Sequence, residues 1–339
     1  MRIIVDAMGG DFAPFEQIKG CIEAKKELDC AVVLAGNREI IEKCAKDNGL
    51  SLDGLEILHA ENSISMSDPP LTVRSKPDTS LRVGLTALAE KKADAFVSAG
   101  STGAVQTGAT LFVRRIPGVF RSAIGTVLPF QRPALLLDSG ANATFTPEML
   151  VEYAIMGSAY MAGVCGVKDP AVGLLNIGTE EHKGTKDHAA AYGLLKEAEG
   201  INFIGNVEPT SLPFGVCDVL VTDGFTGNIL LKSVEGMAKY IFSGIKDAYM
   251  KNFKTKVAGA MSKDVFKDVK KQFDATEYGG APLLGIAAPV IKAHGNSNAK
   301  AICSAVRQAY RYAECGAVGH IEAEIAKRKA AGEDPGAAE

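Results

Sequence analysis

Apolar residues run along this chain in short unbroken stretches, and five of those stretches end in the same way. Residues 2–11 (RIIVDAMGGD), 93–105 (ADAFVSAGSTGAV), 133–149 (PALLLDSGANATFTPEM), 172–184 (VGLLNIGTEEHKG) and 218–232 (DVLVTDGFTGNILLK) each enter a loop rich in Gly, Ser, Thr and Asn, then a helix-like pattern. Continuous apolar runs of this length suit strands buried on both faces of a parallel sheet. Between them lie amphipathic segments. A helix is predicted near 14–28, opened by Pro14, then a strand over 31–35 and a helix over 38–48 stopped by Gly49. Thr146-Pro147-Glu148 marks another helix start: a capping hydroxyl, a first-turn Pro and an acid. The rhythm predicts an α/β protein with a mostly parallel sheet covered on both sides.

One region breaks the rhythm. Over 236–275, Met250, Phe253, Val257, Met261 and Val265 recur every three or four residues among many lysines. Gly259 interrupts the pattern and Ser262 restarts it, which predicts a basic amphipathic helical hairpin over about 240–275. Its stripe either packs on the body of the protein or meets an anionic membrane surface. The expected organisation is one domain over 1–330, two lobes around a cleft, with a flexible tail at 331–339.

Composition narrows the function. Of 339 residues, 47% are hydrophobic and 23% charged, the balance of a globular enzyme. A net charge of −3 and a pI near 6.0 lack the basic footprint of a nucleic-acid binder. The seven Cys are scattered without a C-x-x-C pair and read as reduced thiols of a cytoplasmic protein. No two His fall at i, i+4, so no metal is expected. Asp6 interrupts any secretory signal. The uncharged window 95–113 has the length of a membrane span, yet its Gly, Ser, Thr and Gln fit strand, loop and helix better.

Neither dinucleotide nor P-loop motif is present, and G-x-S-x-G is absent. The chemistry therefore resides in the loops. Gly9, Gly10 and Asp11 permit close backbone approach after the first strand, and equally make a tight turn. Ser101, Thr102 and Gly103 offer hydroxyls and N–H groups to an oxyanion, or simply cap a helix. Gly178, Thr179 and Lys183 place a cation among acids. Asn142 lies in the loop presented by its strand. Asn228 and Lys232 share one helical face above Asp223. Arg74 with Lys76, and His294, are further phosphate or proton-donor candidates. Strand ends and helix N-termini together favour anions.

Taken in order, DAMGGD, VSAGSTGA, LDSGAN, LLNIGTEEHKG, DGFTGNILLK, EYGGAPLLG (277–285) and KAHGNS (292–297) resemble the bacterial phosphate acyltransferase family of phospholipid synthesis. The resemblance spans residues 1 to about 315; Ser101 and Ser139 depart from the family pattern. It implies acyl transfer from an acyl carrier protein (ACP) thioester to inorganic phosphate, with no cofactor. It also implies a Rossmann-like three-layer α/β/α sandwich similar to the isocitrate and isopropylmalate dehydrogenases, a homodimer, and peripheral membrane association. On this reading the loops 9–11, 101–103 and 178–183 hold phosphate with Lys183, while Asp223, Asn228 and Lys232 serve the thioester. Two other readings stay open: a metal-dependent decarboxylating dehydrogenase of the same fold, and a non-enzymatic scaffold binding ACP and membrane.

Overall fold

A computed structural model describes residues 1–264, 266, 269 and 279–330. The predicted rhythm is present. β1 (Arg2–Asp6), α1 (Phe15–Glu27), β2 (Ala31–Gly36), α2 (Arg38–Asp47) and β3 (Leu55–His59) open the chain. α3 (Thr72–Ser75), α4 (Ser80–Ala89), β4 (Ala95–Ser98) and α5 (Thr102–Gly108) follow, the last running into a π-helical turn at Ala109–Val113. Then come β5 (Ala123–Leu128), β6 (Ala134–Leu137), α6 (Pro147–Cys165), β7 (Ala171–Leu175), α7 (Lys186–Glu197), β8 (Asn202–Val207) and β9 (Val219–Val221). α8 (Gly224–Met250), α9 (Phe253–Met261), β10 (Ala281–Leu284), β11 (Val290–Lys292) and the helices Ala299–Glu314 and Ala317–Ala330 complete it.

All eleven strands join one sheet in the order β3-β2-β1-β4-β11-β10-β5-β6-β9-β7-β8. Among the described residues most strand pairings are parallel, as expected, and three antiparallel pairings make the sheet mixed. β5 and β6 pair antiparallel, and β10 is antiparallel to both β11 and β5. The cause is legible: residues 129–133 are too few for a crossover, so β5 and β6 must form a hairpin. β10 joins the halves, pairing with β11 through Ala281 and Pro282 and with β5 through Leu283 and Leu284.

Side-chain alternation divides the core into three clusters on the two faces of the sheet. Ile3, Val5, Val97, Leu135, Leu137, Val219 and Val221 face one continuous core with α6 and the helix Ala299–Glu314. The opposite face is split. Ile4, Val33 and Phe96 pack with α4 and α5 in one cluster, while Leu136 and Leu220 pack with Leu230, Leu231 and Val234 of α8 in another. Between these two clusters, over β5, the sheet face is left to a cleft.

The Lys-rich region differs in detail from its sequence reading. A first break falls at Lys251–Asn252, where Asn252 caps α9 with a capping box; a second falls not at Gly259 but at Ser262, where α9 ends and helix resumes at Lys263, the restart expected there. Gly259 instead lies inside α9 against Tyr249, where a Cβ would come within 2.8 Å of the ring. Small size at 259 is thus used for helix packing. Val265, part of the predicted hairpin, and the tail 331–339 lie outside the described residues.

Candidate active site

Two loops from the first half of the sheet are pressed together beneath the cleft. The Gly9–Gly10 turn sits on the Gly100 loop so closely that a Cβ at Gly9 would lie 2.6 Å from Asp6 Oδ2 and 2.8 Å from the Gly100 nitrogen. Asp6 accepts from Ser98 Oγ at 2.7 Å and from the Met8 N–H at 3.2 Å. Burial nevertheless pushes its carboxyl above the usual range. The Asp11 N–H donates to the Gly295 carbonyl at 2.8 Å, which ties the first loop to the segment after β11.

From the second half comes the loop after β6, organised around Asp138. Its buried carboxylate accepts from the N–H groups of Gly140 (2.9 Å), Ala141 (2.9 Å) and Asn142 (2.8 Å) and from Asn142 Nδ2 (2.8 Å). Desolvation pushes its carboxyl above the usual range, a rise these donors only partly offset. Above the loop lies the start of α8. Asp223 caps this helix, accepting from the Thr226 N–H at 2.8 Å. Asn228 Nδ2 donates to the Ser139 carbonyl at 3.0 Å, fixing the amide over the loop.

Thr102, Thr126, Ser139, Gly140, Asn228, Lys232, Lys292 and His294 line a cleft of about 360 Å³ between the halves. Four of the predicted residues therefore meet: Thr102, Asn228, Lys232 and His294. Ser101 precedes α5 directly, and Gly9, Gly10 and Asp11 buttress its floor. Gly103 packs on Pro70, where a Cβ would come within 2.7 Å. Arg74 and Lys76, a few residues on, are exposed. Asn142 is buried as a support, donating also to the Ser122 carbonyl at 2.8 Å and to Tyr153 Oη at 3.1 Å.

The loop carrying Gly178, Thr179 and Lys183 does not line this cleft. Lys183 faces Glu180 at 3.8 Å, and its carbonyl accepts from Asn176 Nδ2. This loop borders a second cavity of about 590 Å³, lined by Ile177, Gly184, His188, Thr226 and Ile229. β7 lies beyond β9 in the sheet, so its loop reaches the far face of α8. The predicted junction of 9–11, 101–103 and 178–183 at one anion is thus divided: Thr102 lines the cleft, 9–11 lies behind it against Gly100 and Gly295, and the flanks of 178–183, Ile177 and Gly184, line the second cavity.

Lys292 is the residue that sequence reasoning passed over. It ends β11 half-buried in the cleft, donating to the Ala293 carbonyl. Burial pulls its pKa down to about 8, against the opposing pull of Asp11 and Asp6. A Lys closing an apolar strand inside a quoted motif was the available signal.

Fold and site together set lysines, an amide and hydroxyls around one cleft of an α/β protein. The profile of the fatty acid synthesis protein family matches residues 1–318. Curated relatives named phosphate acyltransferase are 43% identical in Clostridium tetani, covering 96% of this chain and 98% of that protein, and 45% identical in Alkaliphilus oremlandii, covering 95% and 96%. The chain belongs to this family, and it is an acyltransferase. Among solved structures it is similar in fold to a phosphotransacetylase from Streptococcus pyogenes, with a TM-score of 0.63 at 17% identity over 95% of this chain and 94% of that one. A branched-chain phosphotransacylase from Enterococcus faecalis aligns with a TM-score of 0.53 at 14% identity, covering 92% and 99%.

Proposed function

We propose that the enzyme transfers a fatty acyl group from the thioester of an acyl carrier protein to inorganic phosphate, giving acyl phosphate and free carrier. The observation that carries this reading is the meeting of Lys232, Lys292 and Asn228 in one cleft. Phosphate needs little activation, because its dianion is nucleophilic at neutral pH. A phosphate oxygen attacks the thioester carbonyl, the tetrahedral intermediate collapses, and the C–S bond breaks to release a thiolate. With a thiol pKa near ~8.5, that thiolate is a good leaving group.

The protein's work is alignment and charge stabilisation. Lys292 and Lys232 neutralise phosphate and the oxyanion. An Asn amide carries two N–H donors, and with one held by the Ser139 carbonyl the second is left to the oxyanion. His294 at the rim supplies the proton the carrier thiolate takes up. Asp223 positions this face of α8 through its cap. Purified protein given acyl-ACP and phosphate should form acyl phosphate, trapped as the hydroxamate; release of free fatty acid alone would refute the assignment.

The same reading includes a homodimer and peripheral membrane association. Among the described residues no helix is long and apolar enough to cross a membrane. In α9 no residue is buried, and Phe253 and Met261 are 81% and 83% exposed, with Val257 also exposed. Lys251, Lys254 and Lys256 flank them, each contributing about 1 kcal/mol near anionic lipid. Along α8, Met237, Tyr240 and Ile241 form a separate exposed stripe that a second copy would cover. Vesicles rich in phosphatidylglycerol should carry the protein upward in flotation, and Val257→Asp with Met261→Asp should abolish this while acyl-ACP turnover persists. Unaltered flotation of that variant would place the contact elsewhere.

A further inference from the structure

A third cavity, of about 400 Å³, is lined by Gln106, Thr110, Arg115, Phe120, Arg121, Ser122 and Asn142. Three elements lead to it from the reaction cleft. On α5 and its π-helical continuation, Thr102 faces the cleft, and Gln106 and Thr110 follow at i+4 and i+8 on one side. On the β5 segment, Thr126 and Ile124 line the cleft, and Ser122 continues their face at the next i−2 position. In the loop after β6, Ser139 and Gly140 line the cleft while Asn142 lines the cavity. Flanked by the same three elements though sharing no lining residue, the two spaces are taken together as one trough. Eight residues of helical rise separate Thr102 from Thr110, roughly 12 Å.

The far end of the trough is cationic and fixed. Arg114 holds a left-handed backbone (φ 71°), its N–H donating to the Ala109 carbonyl and its carbonyl accepting from the Ala287 N–H, both at 2.9 Å. Arg115 follows, bridged to Ile286. On the other side, the Phe120 N–H donates to both carboxylate oxygens of buried Glu152, at 2.9 and 3.2 Å, so Glu152 anchors the backbone beside Arg121. The side chains of Arg115 and Arg121 line the cavity from these two anchored segments. Phe120 and the aliphatic parts of the lining make most of this cavity's wall apolar, and Gln106, Thr110 and Ser122 set amide and hydroxyl groups into it.

We propose that this trough holds a phosphopantetheine arm, with Arg115 and Arg121 gripping its phosphodiester and the thioester lying at Thr102, Asn228 and Lys232. The proposal rests on the acyl-transfer reading above. The chemistry matches along the whole length. A pantetheine arm contains two amides and a hydroxyl, partners for Gln106 and Thr110, on a carbon chain that suits the Phe120 side of the wall. It spans roughly four to five extended residues, about 15 Å. Its phosphodiester carries a permanent negative charge suited to guanidinium forks.

Equilibrium binding tests this independently of turnover. By calorimetry, phosphopantetheine should bind the wild-type enzyme at least tenfold more tightly than pantetheine. Arg115→Ala with Arg121→Ala should erase the difference, and Arg115→Lys with Arg121→Lys should restore part of it. Equal affinities for the two ligands in the wild type would overturn the proposal. In turnover, the double Ala variant should raise KM for acyl-phosphopantetheine about tenfold with kcat kept, and leave acyl-pantetheine unaffected. Equal losses on both thioesters would likewise overturn it. If the wild type binds the phosphorylated arm selectively but forms no acyl phosphate from any thioester, the acyl-transfer reading fails while the trough assignment stands. The arm is shared by carrier protein and coenzyme A, and comparing acyl-ACP with acyl-CoA identifies which source the enzyme prefers.

Discussion

Replacing Lys292 by Met should lower turnover at limiting phosphate by about 10²–10³-fold, the range found when a preorganised oxyanion partner is removed. The expectation follows from placement. Lys292 sits at the end of β11, half-buried, in the same cleft as Asn228 and Lys232. Its depressed pKa of about 8 also sets a pH signature. The ammonium form is the one that neutralises phosphate, and it prevails below that value. Wild-type turnover should therefore fall as pH rises through about 8. Lys292→Arg keeps a cation that does not titrate in this range, so its alkaline limb should move upward even if its rate is lower. A Met variant with wild-type rates, or an Arg variant whose limb stays near 8, would remove Lys292 from the chemistry.

The outer elements of the fold were legible because their signals are local. The strand near 31–35 and the helices near 14–28 and 38–48 appear as Ala31–Gly36, Phe15–Glu27 and Arg38–Asp47. The uncharged window 95–113 becomes β4, α5 and the π turn, as its small polar residues indicated. The centre of the sheet was harder to read. β10 is only Ala281–Leu284 and changes partner in the middle, so its role depends on residues far away in sequence. Local patterning carries no information about such pairing. The restart at Ser262 was legible, but Gly259 was read as the helix stop before it, when α9 runs on to Met261 and Gly259 lets Tyr249 pack close.

Site residues sort by a similar rule. Asn228 and Lys232 were found because helical spacing puts them on one face, and a helix preserves that relation. Lys183 was grouped with the loops 9–11 and 101–103 on the premise that every strand's C-terminal loop meets one crevice. That premise fails when the two halves of a sheet run in opposite senses, as the antiparallel β10, β5 and β6 require. Only loops adjoining the central strands reach the cleft, and β7 does not adjoin them. Arg115 and Arg121 carried no motif at all. Their meeting depends on the π turn and on the anchoring of Phe120 by Glu152.

Gly227→Ala should disable the enzyme while leaving most of its fold, with turnover down by about 10²-fold, the cost of misplacing reacting groups by roughly 1 Å. A Cβ at this position would lie 1.9 Å from the Asp138 carbonyl oxygen, where real Cβ contacts stay above 3.0 Å, so α8 must move by about the difference, 1.1 Å. The obstacle is backbone on one side and the start of a helix on the other, so neither can swing away as a side chain would. Gly224 meets the same loop, with a Cβ there 2.7 Å from the Asn142 carbonyl oxygen. Displacing α8 carries Asn228 off the Ser139 carbonyl and shifts Lys232 relative to Lys292. Overpacking of this kind costs about 1–3 kcal/mol, so a lower melting temperature should accompany the loss. Gly236→Ala is the control. It lies farther along the same helix with nothing within 4 Å, and should stabilise by up to about 1 kcal/mol while keeping kcat. Thermal melts and turnover of the two variants separate the possibilities. Should Gly227→Ala match the wild type in both, the start of α8 would be free to shift without consequence and could not be what aligns Asn228 and Lys232.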